Sequence, residues 1–270
     1  MKSAGNRTVA ELFRLDGRTA LVTGGAGHLG SAICEALLEL GARVIVGARD
    51  ATKGREFVAR LKADGHDNAA AVAIDLASPG KIKAAFAEMR GNKDHVDILV
   101  NNAYPFLEKR IDDIGEAEMN DTLTSSLTGT FAVSREASLM MRERGGGSVI
   151  NIASMYGLVG SYPEVYKDLP GCISPAYHMA KGGIVQLTRY LAVYWAEFNI
   201  RVNGICPGPF PKPAAMAANP EMARRLMEKV PLKRLGEPSE LKGVVALLAS
   251  DAGSYITGQN IPVDGGWTAW

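Results

Sequence analysis

Tyr177 and Lys181 stand four positions apart in Tyr177-His178-Met179-Ala180-Lys181, within an apolar, helix-compatible segment that runs to about Phe198. A spacing of four puts both side chains on one face of a helix. The ammonium charge there favours the tyrosinate, so the phenol is expected to titrate nearer to working pH and to serve as acid toward a carbonyl or base toward an alcohol. Ser154, placed after the β-branched run Ser148 to Ile152, can hold the same oxygen. A second constellation lies near the start, where Thr19 to Thr23 runs into Gly24-Gly25-Ala26-Gly27-His28-Leu29-Gly30 and then a helical pattern. Glycines between a first strand and a first helix let the backbone approach a pyrophosphate, while the helix N-terminus supplies amide donors. His28 reads as a solvent-facing residue of the first helical turn, with a phosphate or ribose contact as the alternative. The next strand ends Val46-Gly47-Ala48-Arg49-Asp50. Arg49 suits a 2′-phosphate and leans toward NADP, whereas Asp50 suits either ribose hydroxyls, and thus NAD, or the cap of a helix that starts near Ala51.

Such groups need a scaffold that brings distant segments together. Short runs at Thr19–Thr23, Arg43–Val46, Ala71–Ile74, Ile98–Asn101, Ser148–Ile152, Ile200–Ile205 and Asn260–Val263 alternate with stretches of helical periodicity. This predicts an α/β single-domain Rossmann fold over 1–270, with a doubly wound, seven-stranded parallel sheet flanked by helices. Leu29 to Leu40 and Ile82 to Met89 read as helices, and Glu116 to Arg144 as one extended helix that stops at Gly145-Gly146-Gly147. Two segments interrupt the rhythm. Residues 207–235 are rich in Pro, Ala and Met and read as a flap over the carboxyl ends of the strands, or as an ordinary surface helix pair. Residues 156–176 read as a substrate-side insertion. Its Tyr162, Pro163, Glu164, Tyr166, Asp168 and Pro170 would border a polar or polyhydroxylated substrate, or pack on themselves as a surface loop.

Composition narrows the partners. The chain has 270 residues, 47% of them hydrophobic, and a formal charge of +1, without the basic surplus that nucleic acid or anionic lipid requires. No apolar run approaches the roughly 20 residues of a membrane span, and Met1 to Leu15 lacks the apolar core of a secretory signal, so a cytoplasmic protein is expected. Cys34, Cys172 and Cys206 are scattered and form no Cys/His cluster. They read as small buried hydrophobes, with no metal site.

With these residues placed, the chain resembles the short-chain dehydrogenase/reductase family from Leu15 to Thr268. Besides the glycine turn and YxxxK, the resemblance rests on Asp75-Leu76, Asn101-Asn102-Ala103, Asn151-Ile152-Ala153-Ser154, Arg201-Val202-Asn203, Pro207-Gly208, Ile256-Thr257-Gly258-Gln259 and Val263-Asp264-Gly265-Gly266. It implies hydride transfer between NADP, or NAD, and a carbonyl or secondary alcohol. Ser154, Tyr177 and Lys181 form the catalytic set, and Ser126 aligns with the family's catalytic Asn. The cofactor is implied to lie along Thr23, Gly24, Gly27, His28, Leu29, Gly30, Arg49, Asp75, Leu76, Asn102, Ala103, Tyr177, Lys181, Pro207 and Gly208. A homotetramer built through residues 116–144 and 175–198 is implied as well. The segment Glu11 to Arg18 is similar to that of gluconate 5-dehydrogenase-like members, and 3-oxoacyl-carrier-protein reductases are similar too, so a sugar acid, polyol or 3-oxoacyl-like small molecule is expected.

Five departures stand out. His28 takes a glycine position, which leaves TGxxGxxG, a spacing of the family's extended branch. Tyr104 stands where NNAG has Gly. Ser126 is shorter than Asn and has one donor, which weakens a proton relay through Lys181. Lys212 stands where a Thr would hold the nicotinamide carboxamide, and the Ser154–Tyr177 separation exceeds the family's usual one. These departures support two rival readings: an NAD(P)-dependent epimerase or dehydratase, and a nucleotide-sensing protein with a degraded site.

Overall fold

A computed structural model describes residues 7–105, 107–168 and 173–270. The elements in chain order are α1 (Val9–Phe13), β1 (Thr19–Thr23), α2 (His28–Glu39), β2 (Arg43–Ala48), α3 (Ala51–Ala63), β3 (Ala69–Ala73), α4 (Pro79–Gly91), β4 (Ile98–Asn101), α5 (Glu116–Leu123), α6 (Gly129–Glu143), β5 (Gly147–Ile152), α7 (Pro163–Tyr166), α8 (Pro175–Trp195), β6 (Ile200–Pro207), α9 (Pro213–Ala218), α10 (Pro220–Lys229), α11 (Lys242–Ala249) and β7 (Asn260–Val263). The strands form one sheet in the order β3-β2-β1-β4-β5-β6-β7, every neighbouring pair parallel. Chain direction across the sheet reverses between β1 and β4, which opens a crevice beyond their carboxyl ends, where Thr23 pairs with Asn101.

Both faces of the five inner strands are buried, so these strands read as nearly continuous apolar runs. Alternate residues serve opposite cores. Ala20, Val22, Val44, Val46, Ile98 and Val100 pack against Ile33 and Leu37 of α2, Phe57 and Leu61 of α3 and Leu248 of α11. Leu21, Ile45, Leu99 and Val149 pack against Phe86 of α4, Met140 of α6 and Trp195 of α8. Helix starts carry local signals. Asp50 caps α3, Ser78 precedes Pro79 at α4, and Ser174 precedes Pro175 at α8.

The structure departs from the expected single helix over residues 116–144. A π-turn at Thr124–Thr128 separates α5 from α6. The hydroxyls of Thr122, Ser125, Ser126 and Thr130 each donate to the carbonyl four residues earlier, and such back-bonding bends a helix and loosens its ladder. Residues 207–235 hold the helix pair α9 and α10. The insertion contributes α7 and packs Tyr162, Val165 and Tyr166 against Leu226, Val230 and Trp267. Leu169, Pro170, Gly171 and Cys172 lie outside the described residues, and with them part of the insertion and one of the three cysteines. Cys34 and Cys206 are free and buried.

Candidate active site

Beyond β1, Gly24 takes a left-handed φ of 63°, and Gly27 N–H donates to Gly24 carbonyl at 2.9 Å. Gly27 then caps α2 without any side-chain bond, leaving the first amides of the helix unclaimed by side chains. A Cβ on Gly24 would stand 2.9 Å from the Ala103 Cα, and one on Gly30 would collide with the Gly24 carbonyl. The crevice is thus bare backbone, which fits a pyrophosphate. Thr23 Oγ1 accepts from the amides of Asn102 (3.1 Å) and Ala103 (3.2 Å), and Asn102 Nδ2 donates to the carbonyls of Thr23 (3.1 Å) and Gly24 (3.0 Å). Thr23, Asn102 and Ala103 therefore lock the glycine turn to the end of β4. Leu29 is packed against the core. His28 differs from its solvent-facing reading: its Nε2 is shielded from solvent with no partner among the described residues.

At the tip of β2, Asp50 accepts from the amides of Thr52 (2.9 Å) and Lys53 (3.3 Å), so its carboxylate is engaged as a helix cap. Arg49 beside it is exposed. Asp75 pairs with Lys81 at 3.1 Å, which holds its carboxyl below the usual range. The Leu76 carbonyl lies so near Gly129 that a side chain at 129 would clash, which ties the segment after β3 to the start of α6.

The candidate acid–base group lies beyond β5. Ser154 follows the strand, is buried and accepts from the Tyr156 amide at 3.1 Å. Tyr177 and Lys181 lie one turn apart on α8, and the Ser154 side chain is near enough to the Tyr177 phenol to favour its ionised form. Lys181 Nζ donates to the Ile152 carbonyl at 2.7 Å and sits 5.7 Å from the Tyr177 ring centre. Burial lowers Lys181 to about 8. Burial also raises Tyr177 above its ordinary value, against the opposing influence of Ser154. In the protein alone, desolvation therefore sets the direction, contrary to the expectation that the ammonium draws the phenol down. The Ser126 hydroxyl, buried in the π-turn, donates to the Thr122 carbonyl of its own helix, so its donor is already engaged. At the end of β6, Gly208 N–H donates to Val263 at 2.9 Å, and a Cβ there would stand 2.6 Å from the Asp264 Cα. Lys212 leads into α9 and is exposed.

Two features of the site escaped the sequence reading. A buried polar chain crosses the sheet: Asn101 Nδ2 donates to Ser134 Oγ and Asn151 Oδ1, both at 2.8 Å, and Asn151 Nδ2 donates to Thr188 Oγ1 at 2.9 Å. It fastens β4 and β5 to α6 and α8. Beside Tyr177, His178 stacks on Tyr156 with ring centres 5.0 Å apart, and Tyr156 and Tyr162 meet Trp267. Repeated tyrosines after Ser154 were the only signal of this cluster, because Trp267 lies about a hundred residues further on. Among the described residues no group of acidic, His or Cys side chains suits a metal, and no helix is long and apolar enough to cross a membrane.

Residues 24–268 match the family model described as enoyl-(acyl carrier protein) reductase. The chain is 34% identical over 261 residues to galactitol 2-dehydrogenase (L-tagatose-forming) of Cereibacter sphaeroides, covering 96% of this chain and 98% of that one. It is 31% identical over 254 residues to the 3-oxoacyl-[acyl-carrier-protein] reductase of Aquifex aeolicus, covering 94% and 98%. A gluconate 5-dehydrogenase from Burkholderia cenocepacia, solved with NADP and tartrate, superposes with a TM-score of 0.87 at 29% identity, over 97% of this chain and all of that one. A glycine crevice at the sheet's switch point, a buried Ser-Tyr-Lys group beside it and these likenesses agree: the chain belongs to the short-chain dehydrogenase/reductase family and is an NAD(P)-dependent oxidoreductase.

Proposed function

We propose that this oxidoreductase interconverts a secondary alcohol and a carbonyl on a small polar substrate, a sugar acid or polyol before a 3-oxoacyl compound, with NADP preferred to NAD and with Ser154, Tyr177 and Lys181 as its catalytic residues. The observation that carries this reading is the contact of Ser154 with Tyr177 one helical turn from a buried Lys181. Bound nicotinamide supplies or accepts the hydride. Toward a carbonyl, Tyr177 donates its proton to the substrate oxygen and Ser154 donates a hydrogen bond to that oxygen. Lys181, charged below about pH 8, stabilises the phenolate left behind. Because burial keeps Tyr177 protonated at neutral pH, the acid form needed for reduction is the resting form. Ser126 shapes the bend in its helix, since its hydroxyl is engaged there.

The residues from Thr23 to Gly30, with Asp75, Leu76, Asn102, Ala103, Pro207 and Gly208, would hold the dinucleotide along the carboxyl ends of the strands. Arg49, exposed next to an Asp50 that is engaged as a cap, would meet the 2′-phosphate. The whole chain acts as one dinucleotide-binding domain, with residues 156–176 and 207–235 closing over the substrate. The expected assembly is a homotetramer in the cytoplasm, in keeping with free Cys34 and Cys206. The test is Tyr177→Phe. NADPH binding, read by fluorescence, should persist, while turnover across a panel of sugar acids, ketoses and 3-oxoacyl esters falls about 10²- to 10⁴-fold. Near-normal turnover would overturn the assignment.

A further inference from the structure

We propose that Tyr104 binds substrate, its phenol hydrogen-bonding a hydroxyl on the carbon next to the reacting one, so that the enzyme selects vicinal diols and α-hydroxy carbonyls over lone alcohols and ketones. The inference rests on the oxidoreductase reading above and adds to it a residue and a substrate feature.

Tyr104 lies just beyond β4, at a position where the family resemblance has no side chain at all. Its ring meets that of Tyr177 edge to face with centres 4.9 Å apart and an interplanar angle of 87°, and Lys181 Nζ lies 5.1 Å from its centre. The ring therefore touches both groups that are assigned to the chemistry. Its hydroxyl is shielded from solvent and has no hydrogen-bond partner among the described residues. Burial also raises its pKa, so the group is a neutral phenol with one proton to donate. A buried hydroxyl left unpaired costs about 1–3 kcal/mol, and such groups in native proteins call for a partner in some other state. A ligand bound against Tyr177 and Lys181 would bring such a partner. A substrate whose reacting oxygen sits between Ser154 and Tyr177 has its neighbouring carbon on the scale that separates these two rings, and a hydroxyl there supplies what the phenol lacks. Sites that hydrogen-bond a substrate hydroxyl discriminate strongly against analogues without it, because the site's own polar group is then stranded. Ribose hydroxyls of the cofactor share this chemistry, and the test separates the two sources.

The experiment compares the wild type with Tyr104→Phe, which keeps the ring and removes only the oxygen. The probes are cis-1,2-cyclohexanediol and cyclohexanol with NADP⁺. Two quantities are read for each: kcat/KM, and the further rise in Tm that the alcohol gives the NADP⁺-saturated protein. The wild type should favour the diol in both. In the variant the diol's advantage should fall tenfold or more, with NADPH Kd within twofold and the Tm of the ligand-free protein unchanged or higher. The proposal is overturned by a wild type with no preference for the diol, by equal losses on both alcohols, by a matching rise in NADPH Kd, which would place the phenol on ribose, or by a lower ligand-free Tm, which would mean that the hydroxyl has a protein partner. A diol-specific, Tyr104-dependent Tm rise in a wild type that makes no NADPH would uphold the contact while the oxidoreductase reading fails.

Discussion

A buried lysine held by one backbone carbonyl, with no carboxylate partner among the described residues, is a costly residue. Lys181 falls from 10.5 to about 8 because folding strips its ammonium of water, a difference equivalent to roughly 3 kcal/mol. The folded-state value lies below the unfolded one, so between about pH 8 and 10.5 the unfolded chain binds a proton that the folded chain does not. Stability from this group therefore rises with pH through that window, and the cost is felt in full below it. Lys181→Met should consequently compare best with the wild type near pH 7 and lose ground by pH 10, as read by Tm at each pH; a constant difference would mean that the ammonium is not desolvated. Activity has the opposite dependence. The charge that stabilises a tyrosinate disappears above about pH 8, so kcat/KM for carbonyl reduction should decline there, and a profile still rising at pH 9 would count against the role given to Lys181. Arg49 makes the complementary case on the surface. Arg49→Ala should raise NADPH Kd by tenfold or more and leave NADH Kd within twofold, while equal changes would remove the 2′-phosphate assignment.

The elements that position these residues differ in how plainly they show in the sequence. The five inner strands are almost wholly buried, so each is a largely apolar run that needs no partner to be recognised, and the partly exposed edge strands β3 and β7 still show as short runs between helical stretches. Tyr177, Lys181 and the glycine turn are close in sequence and keep their spacing in space. What stayed hidden depends on pairings between distant segments or on competition within the backbone. The π-turn at Ser126 comes from hydroxyls outbidding the helix ladder, which periodicity does not register. The Asn101–Asn151–Thr188 chain and the meeting of Tyr156 with Trp267 join positions that only the folded sheet brings together. The same holds for the contact between insertion and flap. Arg225 of α10 donates to the carbonyls of Glu164 (3.1 Å) and Lys167 (2.6 Å) and to Glu221 at 2.7 Å, while Lys229 Nζ lies 4.4 Å from the Tyr162 ring centre. Nη1 of Arg225 donates to both carbonyls while Nε holds Glu221, and this three-way attachment makes α7 and α10 one wall. Arg225→Ala should therefore raise substrate KM several-fold, with NADPH Kd unchanged and stability lowered by about 1 kcal/mol. Arg225→Lys, a single point donor, should not restore KM. An unchanged KM in both variants would show that the two segments act independently.

At the scale of the molecule, the two helices behind the site carry an apolar surface that the chain itself does not cover. On α8, Ile184, Leu191 and Trp195 are buried, whereas Tyr190, Val193 and Tyr194 lie 51%, 76% and 59% exposed on the opposite side. Tyr190 and Tyr194 stack with ring centres 4.3 Å apart. Phe131 and Leu139 of α6 and Met179 of α8 are exposed as well. Isolated apolar residues on a surface need no explanation, but a run of them at helical spacing suits contact with another protein surface, and the homotetramer proposed above would cover it with a second copy. α8 also carries Tyr177 and Lys181 at its other end, so packing its outer face against a partner would stiffen the helix that holds the proposed proton donor. The expected assembly is a tetramer in analytical ultracentrifugation. Val193→Glu with Tyr194→Glu should split it into smaller species, because burying two carboxylates in an apolar contact is unfavourable. These species should keep their helical circular dichroism and bind NADPH, since the crevice lies on other elements, but should turn over more slowly and melt earlier. A wild type that sediments as a monomer would leave this surface without the assigned partner, and a double variant that is still a tetramer would move the interface elsewhere.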